Sequence, residues 1–479
     1  MDYLVSNRAF VLFAVLLFAI NTLLLNDVAT LWSGAEAALL DQARRGEAGT
    51  LPVDVARLTG AADALAVFSL RMPGLILGLS TLVVLYLLGR RVFGQAGILY
   101  AILVMVSGFW VVTLGKLGSG DIWVWAVQLL GQLGVVLYVK KPEPSYRLLV
   151  YGMILLSVWI EPLGSSLLFV LFPLALTGLH PQGKRMWLLQ PWVAVLVALG
   201  VLYFSGLLTW MPATQYTGWG RMHGLRFAGL LVLSLLPFLG FLVAGIWGGI
   251  QKVRKGEELS LILLLWLGVG LLVQSPAAIA GAALLTGKHM QDYFRQNYPY
   301  DSLVKVVMLL HLISFFFMAL LLMLGGFFQF RGVGFRSGMA FSATYWMLSF
   351  AAVIGLYGYN RRFVLGGMSL AGLLATALFW LQMYPLWEQQ RLPRQIVDRV
   401  EQIGTNRPEV GLQGSVADHL PLQLYLAKAG KTIIRDGETT TREPEIVIAP
   451  VGEGIDRPVQ DTVRGLSDRL RPVQWVIGH

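Results

Sequence analysis

Four titratable side chains border long apolar runs of the sequence, where a charge is costly unless the protein uses it. Glu36, Asp121 and Glu161 are carboxylates, and His223 is an imidazole. Charged groups at membrane depth are rare and are functional candidates by default. A carboxylate can deprotonate a nucleophile while nearby cations hold a phosphate leaving group. The pattern therefore indicates acid–base chemistry on a phosphate-bearing substrate at a membrane–water boundary.

Cationic residues that could hold such a phosphate are Arg71, Lys116 and Arg221, and His223 with a carboxylate could bind a divalent metal. Each candidate also has an ordinary structural role. Asp121 can cap the helix that follows it, and a single histidine is more often structural than a ligand. No Walker loop, HExxH or GxSxG motif is present, so spacing alone specifies no reaction.

The composition indicates that lipid is the main solvent of these residues. The chain is 56% hydrophobic and 13% charged, against roughly 25% charged residues in soluble domains. The net charge of +10 does not indicate nucleic acid, because Lys and Arg lie mostly in short loops between apolar runs. The absence of cysteine excludes disulfides and thiolate metal sites.

The apolar runs predict a polytopic α-helical membrane protein with about thirteen transmembrane helices. The run from Leu148 to Gly178 is interrupted by Glu161-Pro162, which predicts two short helices meeting at a break. The small-residue stretch 276–287 is either a packed span or a re-entrant segment. The positive-inside rule favours counting it as a span, which places the N-terminus in the cytoplasm and the C-terminus outside.

Two stretches on the outer side are long enough to have structure of their own. The first outer loop, 26–72, is predicted to contain an amphipathic helix at the membrane interface, with Leu39, Leu40 and Ala43 on its apolar face. Residues 386–479 have ordinary soluble composition and predict a small extracytoplasmic α/β domain. Its predicted helices are 392–403 and 420–429, and its predicted strands are 409–416, 431–436, 445–449 and 473–477. The membrane domain is then 1–385.

Several motifs occur in a characteristic order. LWSGAEA at 31–37 follows the first span, FSLRMP at 68–73 leads into YLLGRRVFG at 86–94, and Lys116 and Asp121 precede the fourth span. This succession resembles the GT-C glycosyltransferases of the protein O-mannosyltransferase and lipid A aminoarabinose transferase type, glycosyltransferase family 39. The resemblance is strongest over about residues 1–180.

The resemblance implies a bacterial inner-membrane enzyme that transfers a sugar from a polyprenyl-phosphate donor at the outer face, with inversion. It implies that an acid in the first outer loop, here Glu36, is the base and that Asp121 supports it. Arg71, Lys116 and Arg221 are then expected to hold the lipid phosphate.

Two positions depart from the family pattern. The family's first-loop motif is Asp-Glu, but here it reads Ala35-Glu36. The family often has Lys-Gly-Pro at the turn between the fifth and sixth spans, but here Glu161 stands at the phosphate-binding position. The sequence therefore leaves open a catalytically inactive GT-C-fold subunit that is a structural or lipid-binding component of a larger envelope complex. A transporter or channel ranks below both, because no inverted repeat is visible.

Overall fold

The computed structural model describes residues 11–20, 22, 34–45, 50–61, 67–109, 120–207, 225–295, 298–389, 392–403, 409–413, 419–435, 446–450, 459–466 and 472–478. One apolar helix and two short amphipathic helices precede a bundle of apolar helices, and the C-terminal residues form a small mixed sheet with two helices. The first helices are α1 (Val11–Ile20), α2 (Gly34–Arg45), α3 (Leu51–Leu58), α4 (Val67–Phe93), α5 (Gln95–Ser107), α6 (Asp121–Lys140), α7 (Pro144–Ile160) and α8 (Pro162–Leu179). They are followed by α9 (Met186–Leu189), α10 (Pro191–Phe204), α11 (Leu225–Ser234), α12 (Leu239–Arg254), α13 (Glu258–Val273), α14 (Ala277–Tyr293), α15 (Asp301–Tyr357), α16 (Arg361–Leu378) and α17 (Tyr384–Gln389).

Eight helical segments among the described residues are long and apolar enough to cross a membrane. Shorter apolar helices such as α5, α7 and α13 pack among them. The chain is therefore a polytopic helical membrane protein, as the sequence predicts, and the total of about thirteen spans stays a prediction. The predicted break before Pro162 is confirmed, because α7 ends at Ile160 and α8 begins at Pro162.

All residues of α15, from Asp301 to Tyr357, are helical, but the two halves of this segment run in opposite directions. His311 Nε2 lies 3.1 Å from the hydroxyl of Tyr345, which is 34 positions further along the chain. A straight helix would separate these residues by about 51 Å. The helix therefore folds back into two antiparallel halves, and each half contains a candidate span, Asp301–Leu321 and Phe335–Tyr357.

Helix α14 contains the small-residue stretch that the sequence left undecided, and it is a packed helix in the core of the bundle. Nearly all of its residues are buried. A Cβ on Gly287 would lie 2.5 Å from the backbone nitrogen of Ala101 on α5, and one on Gly281 would lie 2.9 Å from the backbone nitrogen of Leu267 on α13. Small residues thus let three helix backbones approach closely.

The loops rich in Lys and Arg meet at one end of the bundle. Arg91 Nη1 donates to the Tyr146 hydroxyl at 2.7 Å, and Arg185 Nη1 donates to the Lys140 carbonyl at 2.9 Å. We call this the basic end. Because α6 begins at Asp121 and ends at Lys140, Asp121 lies about 28 Å away, at what we call the acidic end.

The C-terminal residues form a five-stranded mixed sheet with the order β2-β1-β3-β5-β4. Its elements are α18 (Leu392–Ile403), β1 (Glu409–Leu412), α19 (Leu420–Lys428), β2 (Thr432–Arg435), β3 (Ile446–Pro450), β4 (Val459–Leu466) and β5 (Pro472–Gly478). β1 pairs in parallel with β2 and β3, whereas β5 is antiparallel to β3 and β4. Apolar side chains of α18 and α19 pack on one face of this sheet, which gives the small α/β unit that the sequence predicts.

Candidate functional site

Glu36 and Arg71 form a two-point ion pair inside the protein. Arg71 Nε donates to Glu36 Oε1 at 2.9 Å, and Arg71 Nη2 donates to Oε2 at 3.1 Å. Both side chains have no exposed surface. Glu36 lies in the first turn of α2 and Arg71 in the first turns of α4. The pair therefore joins the first outer loop to the helix that follows it and occupies both carboxylate oxygens of Glu36.

An apolar cluster is formed by the same two helices as this ion pair. Leu39 and Leu40 of α2 pack with Val53 of α3 and Leu70 of α4. Leu424, on α19 of the C-terminal domain, belongs to the same cluster and is only 4% exposed. The helix predicted for the first outer loop is confirmed, but its apolar face contacts protein, including the C-terminal domain.

Asp121 and Glu161 meet at the acidic end, where α6 and α8 begin. Asp121 is the first residue of α6 and is 1% exposed, whereas Glu161 occupies the break between α7 and α8. Burial, and then the negative charge of Asp121, raise the pKa of Glu161 to about 8. Glu161 is therefore a carboxyl group that is mostly protonated at neutral pH.

The Glu161 side chain folds back over the start of α8. A Cβ at Gly164 would lie 2.8 Å from Glu161 Oε1, so only a glycine at position 164 leaves room for this conformation. The carboxyl group makes no capping hydrogen bond to the backbone of α8. The carboxyl group thus lies over the first turn of α8 without capping it.

A chain of buried polar side chains lies directly beneath the break. Ser157 Oγ donates to Ser165 Oγ at 2.7 Å, and Gln128 Nε2 donates to the same oxygen at 3.1 Å. Ser275 Oγ in turn donates to Gln128 Oε1. Because Ser157 and Ser165 lie one helical turn on either side of Glu161, these hydrogen bonds hold the break against α6 and the α13–α14 turn. They fix the position of Glu161.

These supporting residues are not among the site residues predicted from the sequence. The available signal was a pair of glutamines, Gln128 and Gln132, four residues apart within an otherwise apolar span. Polar residues at helical spacing inside a membrane helix face other helices and not lipid. Gln132 lies one turn further along α6 and is fully buried, and neither of its amide atoms has a hydrogen-bond partner among the residues that the structure describes.

The remaining predicted site residues lie outside the part of the chain that the structure describes. Lys116 falls in 110–119, and Arg221 and His223 fall in 208–224. Helix α2 includes the backbone of Ala35. Among the described residues, no three His, Asp or Glu side chains come close enough to hold a metal ion, so the metal assigned to His223 stays a prediction.

The arrangement of these helices is the GT-C fold. The chain is similar to ArnT from Cupriavidus metallidurans, a lipid A aminoarabinose transferase, in its apo state. That match has a TM-score of 0.67 and 14% sequence identity and covers 100% of this chain and 98% of the ArnT chain. ArnT from the same organism bound to undecaprenyl phosphate matches with a TM-score of 0.66 and 13% identity, over 98% of this chain and 97% of that one.

No protein-family model matches the sequence, and no curated protein does. At 13–14% identity, the structural similarity establishes the GT-C fold. It confirms the resemblance found in the sequence motifs at the level of fold, over the whole length of the chain.

Proposed function

We propose that this protein transfers a sugar from a polyprenyl-phosphate donor at the outer face of the bacterial inner membrane. Its fold is that of ArnT, and one of the matching ArnT structures contains undecaprenyl phosphate. The gathering of Lys- and Arg-rich loops at the basic end supports a cytoplasmic basic end and an extracytoplasmic acidic end. The domain at 386–479 is then extracytoplasmic, because Leu424 packs on the same loop as Glu36.

The acid–base role in this proposal belongs to the Asp121–Glu161 pair. Glu36 has both oxygens bound by Arg71 in a site without solvent contact, so it is poorly placed to accept a proton from a substrate. Glu161 has a pKa of about 8 and makes no capping hydrogen bond to the helix that follows it. A general base is most effective when its pKa lies near the working pH. This contrast between the two carboxyl groups is the observation that carries the assignment.

The proposed step is a single displacement at the anomeric carbon. The ionised Glu161 accepts the proton of an acceptor hydroxyl, and the hydroxyl oxygen bonds to the anomeric carbon. The bond from that carbon to the phosphate oxygen breaks at the same time, and the polyprenyl phosphate leaves with the electron pair. Lys116 and Arg221 are the cations expected to hold the departing phosphate, and Glu36 with Arg71 positions the first outer loop.

The alanine at position 35, where the family has an aspartate, favours a second function. If the family's acid at this position is indispensable, the chain is a GT-C-fold subunit that binds lipid without transferring sugar. The packing of the C-terminal domain on the first outer loop suits such a structural component of an envelope complex.

The two functions differ in what happens to the donor. Polyprenyl-phosphate-linked sugars can be quantified by mass spectrometry in a strain lacking the protein and in strains that express variants. A transferase requires the donor to accumulate in the deletion strain and in strains with Asp121→Asn or Glu161→Gln. If the donor pool is equal in all strains while the purified protein still binds undecaprenyl phosphate, the inactive subunit is the correct function.

A further inference from the structure

A cavity of about 570 Å³ opens among the helices at the basic end, far from the candidate active site. This volume is within the range of small-molecule sites, about 300–1,000 Å³. Its walls combine aromatic and cationic side chains: Tyr293, Phe294, Arg295, Tyr298, Tyr359 and Arg361. The start of α14 lies beside the Gln128 network, and the cavity lies at the other end of that helix, about 24 Å away. The cavity is thus a separate site.

The charges that line the cavity favour an anionic ligand. Among the described residues, Asp301 is the single acidic residue of the lining. Lys305 neutralises it, with Nζ 2.7 Å from Oδ2, and the Tyr359 hydroxyl donates to the same oxygen at 3.0 Å. Arg295 is exposed and makes no ion pair with a residue in the described part of the chain. Arg361 adds a second guanidinium. The lining therefore contains two guanidinium groups and one carboxylate, so its net charge is positive.

The Arg361 guanidinium is held in place by aromatic rings. Its central carbon lies 5.3 Å from the ring centroid of Tyr100 and 5.0 Å from that of Phe294. Cation–π contacts of this kind orient a guanidinium within the wall of a cavity. The planar fork of N–H donors matches the oxygens of a phosphate.

We propose that this cavity binds a phosphate-bearing ligand through Arg295 and Arg361. Basic pockets between transmembrane helices on the cytoplasmic side suit the head groups of anionic lipids. The same chemistry suits a soluble phosphate compound, so the ligand is defined here by its phosphate. The inference is independent of sugar transfer at the acidic end.

The test uses the full-length protein in a neutral detergent and measures the midpoint of thermal unfolding against probe concentration. The probes are dioctanoyl phosphatidylglycerol, dioctanoylglycerol as the matched lipid without a phosphate, and inorganic phosphate at constant ionic strength. The variants are Arg361→Gln and Arg295→Gln. Arg362→Gln is the matched control, because Arg362 is exposed beside the cavity and does not line it.

At least one phosphate-bearing probe should raise the unfolding midpoint of the wild type and of Arg362→Gln. Each cavity variant should bind that probe about ten- to a hundredfold more weakly, the effect of losing a charge-assisted hydrogen bond. Binding of phosphatidylglycerol alone assigns the site to a lipid head group, and binding of inorganic phosphate assigns it to a soluble compound.

The proposal is overturned if neither phosphate-bearing probe shifts the midpoint, if dioctanoylglycerol acts as strongly as phosphatidylglycerol, or if Arg295→Gln binds like the wild type. Arg295 is exposed, so its replacement tests the site even if the Arg361 variant fails to fold.

Discussion

Breaking the Glu36–Arg71 ion pair from one side should be far more damaging than removing it altogether. Glu36→Gln removes the carboxylate that binds the buried Arg71 guanidinium, and Arg71→Met removes the guanidinium that binds the buried Glu36 carboxylate. Both side chains have no exposed surface, so water cannot compensate. Removing one partner of a buried pair costs about 3–5 kcal/mol, and we expect a loss in this range for each single variant.

The double variant Glu36→Leu with Arg71→Met tests this reasoning. Replacing a buried ion pair by apolar side chains of similar size is often neutral or stabilising. Leu39, Leu40 and Leu70, on the same two helices, already form a buried apolar cluster. We therefore expect the double variant to be more stable than either single variant, with a coupling free energy of at least about 2 kcal/mol.

The assay is equilibrium unfolding of the purified protein in detergent, followed for the wild type, both single variants and the double variant. Asp41 and Arg45 provide a matched control on the same helix. Their ion pair is 2.8 Å long but exposed, with side-chain exposures of 22% and 47%. Asp41→Asn should cost at most about 0.5 kcal/mol. Strictly additive losses at Glu36 and Arg71 would refute the buried pair as a structural element.

Two further predictions concern the packing of the bundle and of the C-terminal domain. Gly287→Ala should destabilise the protein by about 1–3 kcal/mol, because the new Cβ would lie 2.5 Å from the backbone of Ala101. Gly366→Ala, where no atom lies within 4 Å of the new Cβ, should be neutral or slightly stabilising in the same unfolding measurement. Leu424→Asp should release the C-terminal domain from the first outer loop and expose α2 to limited proteolysis, with Glu401→Ala on the exposed face of α18 as control. Unchanged cleavage would mean that Leu424 does not hold the two parts together.

The break at Glu161 and most of the C-terminal domain were predictable from local sequence. Proline at 162 removes a backbone N–H and marks a helix start, so the end of α7 follows from the sequence alone. Helix α18 was predicted with the observed limits. Strand β4, Val459–Leu466, was missed because it is an edge strand with an irregular register between Val459 and Asp461. Such a strand has little of the apolar alternation that identifies a strand in sequence.

The site was harder to predict because it depends on contacts between distant segments. Glu36 and Arg71 were each recognised as functional candidates, one as a base and the other as a phosphate ligand. Their pairing depends on how α2 packs against α4, which a sequence pattern does not encode. The link between Glu161 and Asp121 likewise requires three helix ends to meet at one point.

The protonation of Glu161 offers a test of whether a donor phosphate binds beside it. With a pKa of about 8, about nine in ten molecules have a neutral Glu161 at pH 7, and about one in ten at pH 9. Ionisation adds a second negative charge to that of Asp121. At an effective dielectric constant of about 20, this charge repels a phosphate about 8 Å away by about 2 kcal/mol.

The affinity for undecaprenyl phosphate should therefore fall about five- to tenfold between pH 7 and pH 9. A phosphate monoester has its second pKa near 6, so the charge of the probe hardly changes over this range. Glu161→Gln should bind with the same affinity at both pH values, whereas Glu143→Gln at the basic end should behave like the wild type. If the wild type binds undecaprenyl phosphate with equal affinity at pH 7 and pH 9, the donor phosphate does not bind close to Glu161. The acid–base assignment would then lose its support, because a base that acts in the transfer must lie beside the bond that breaks.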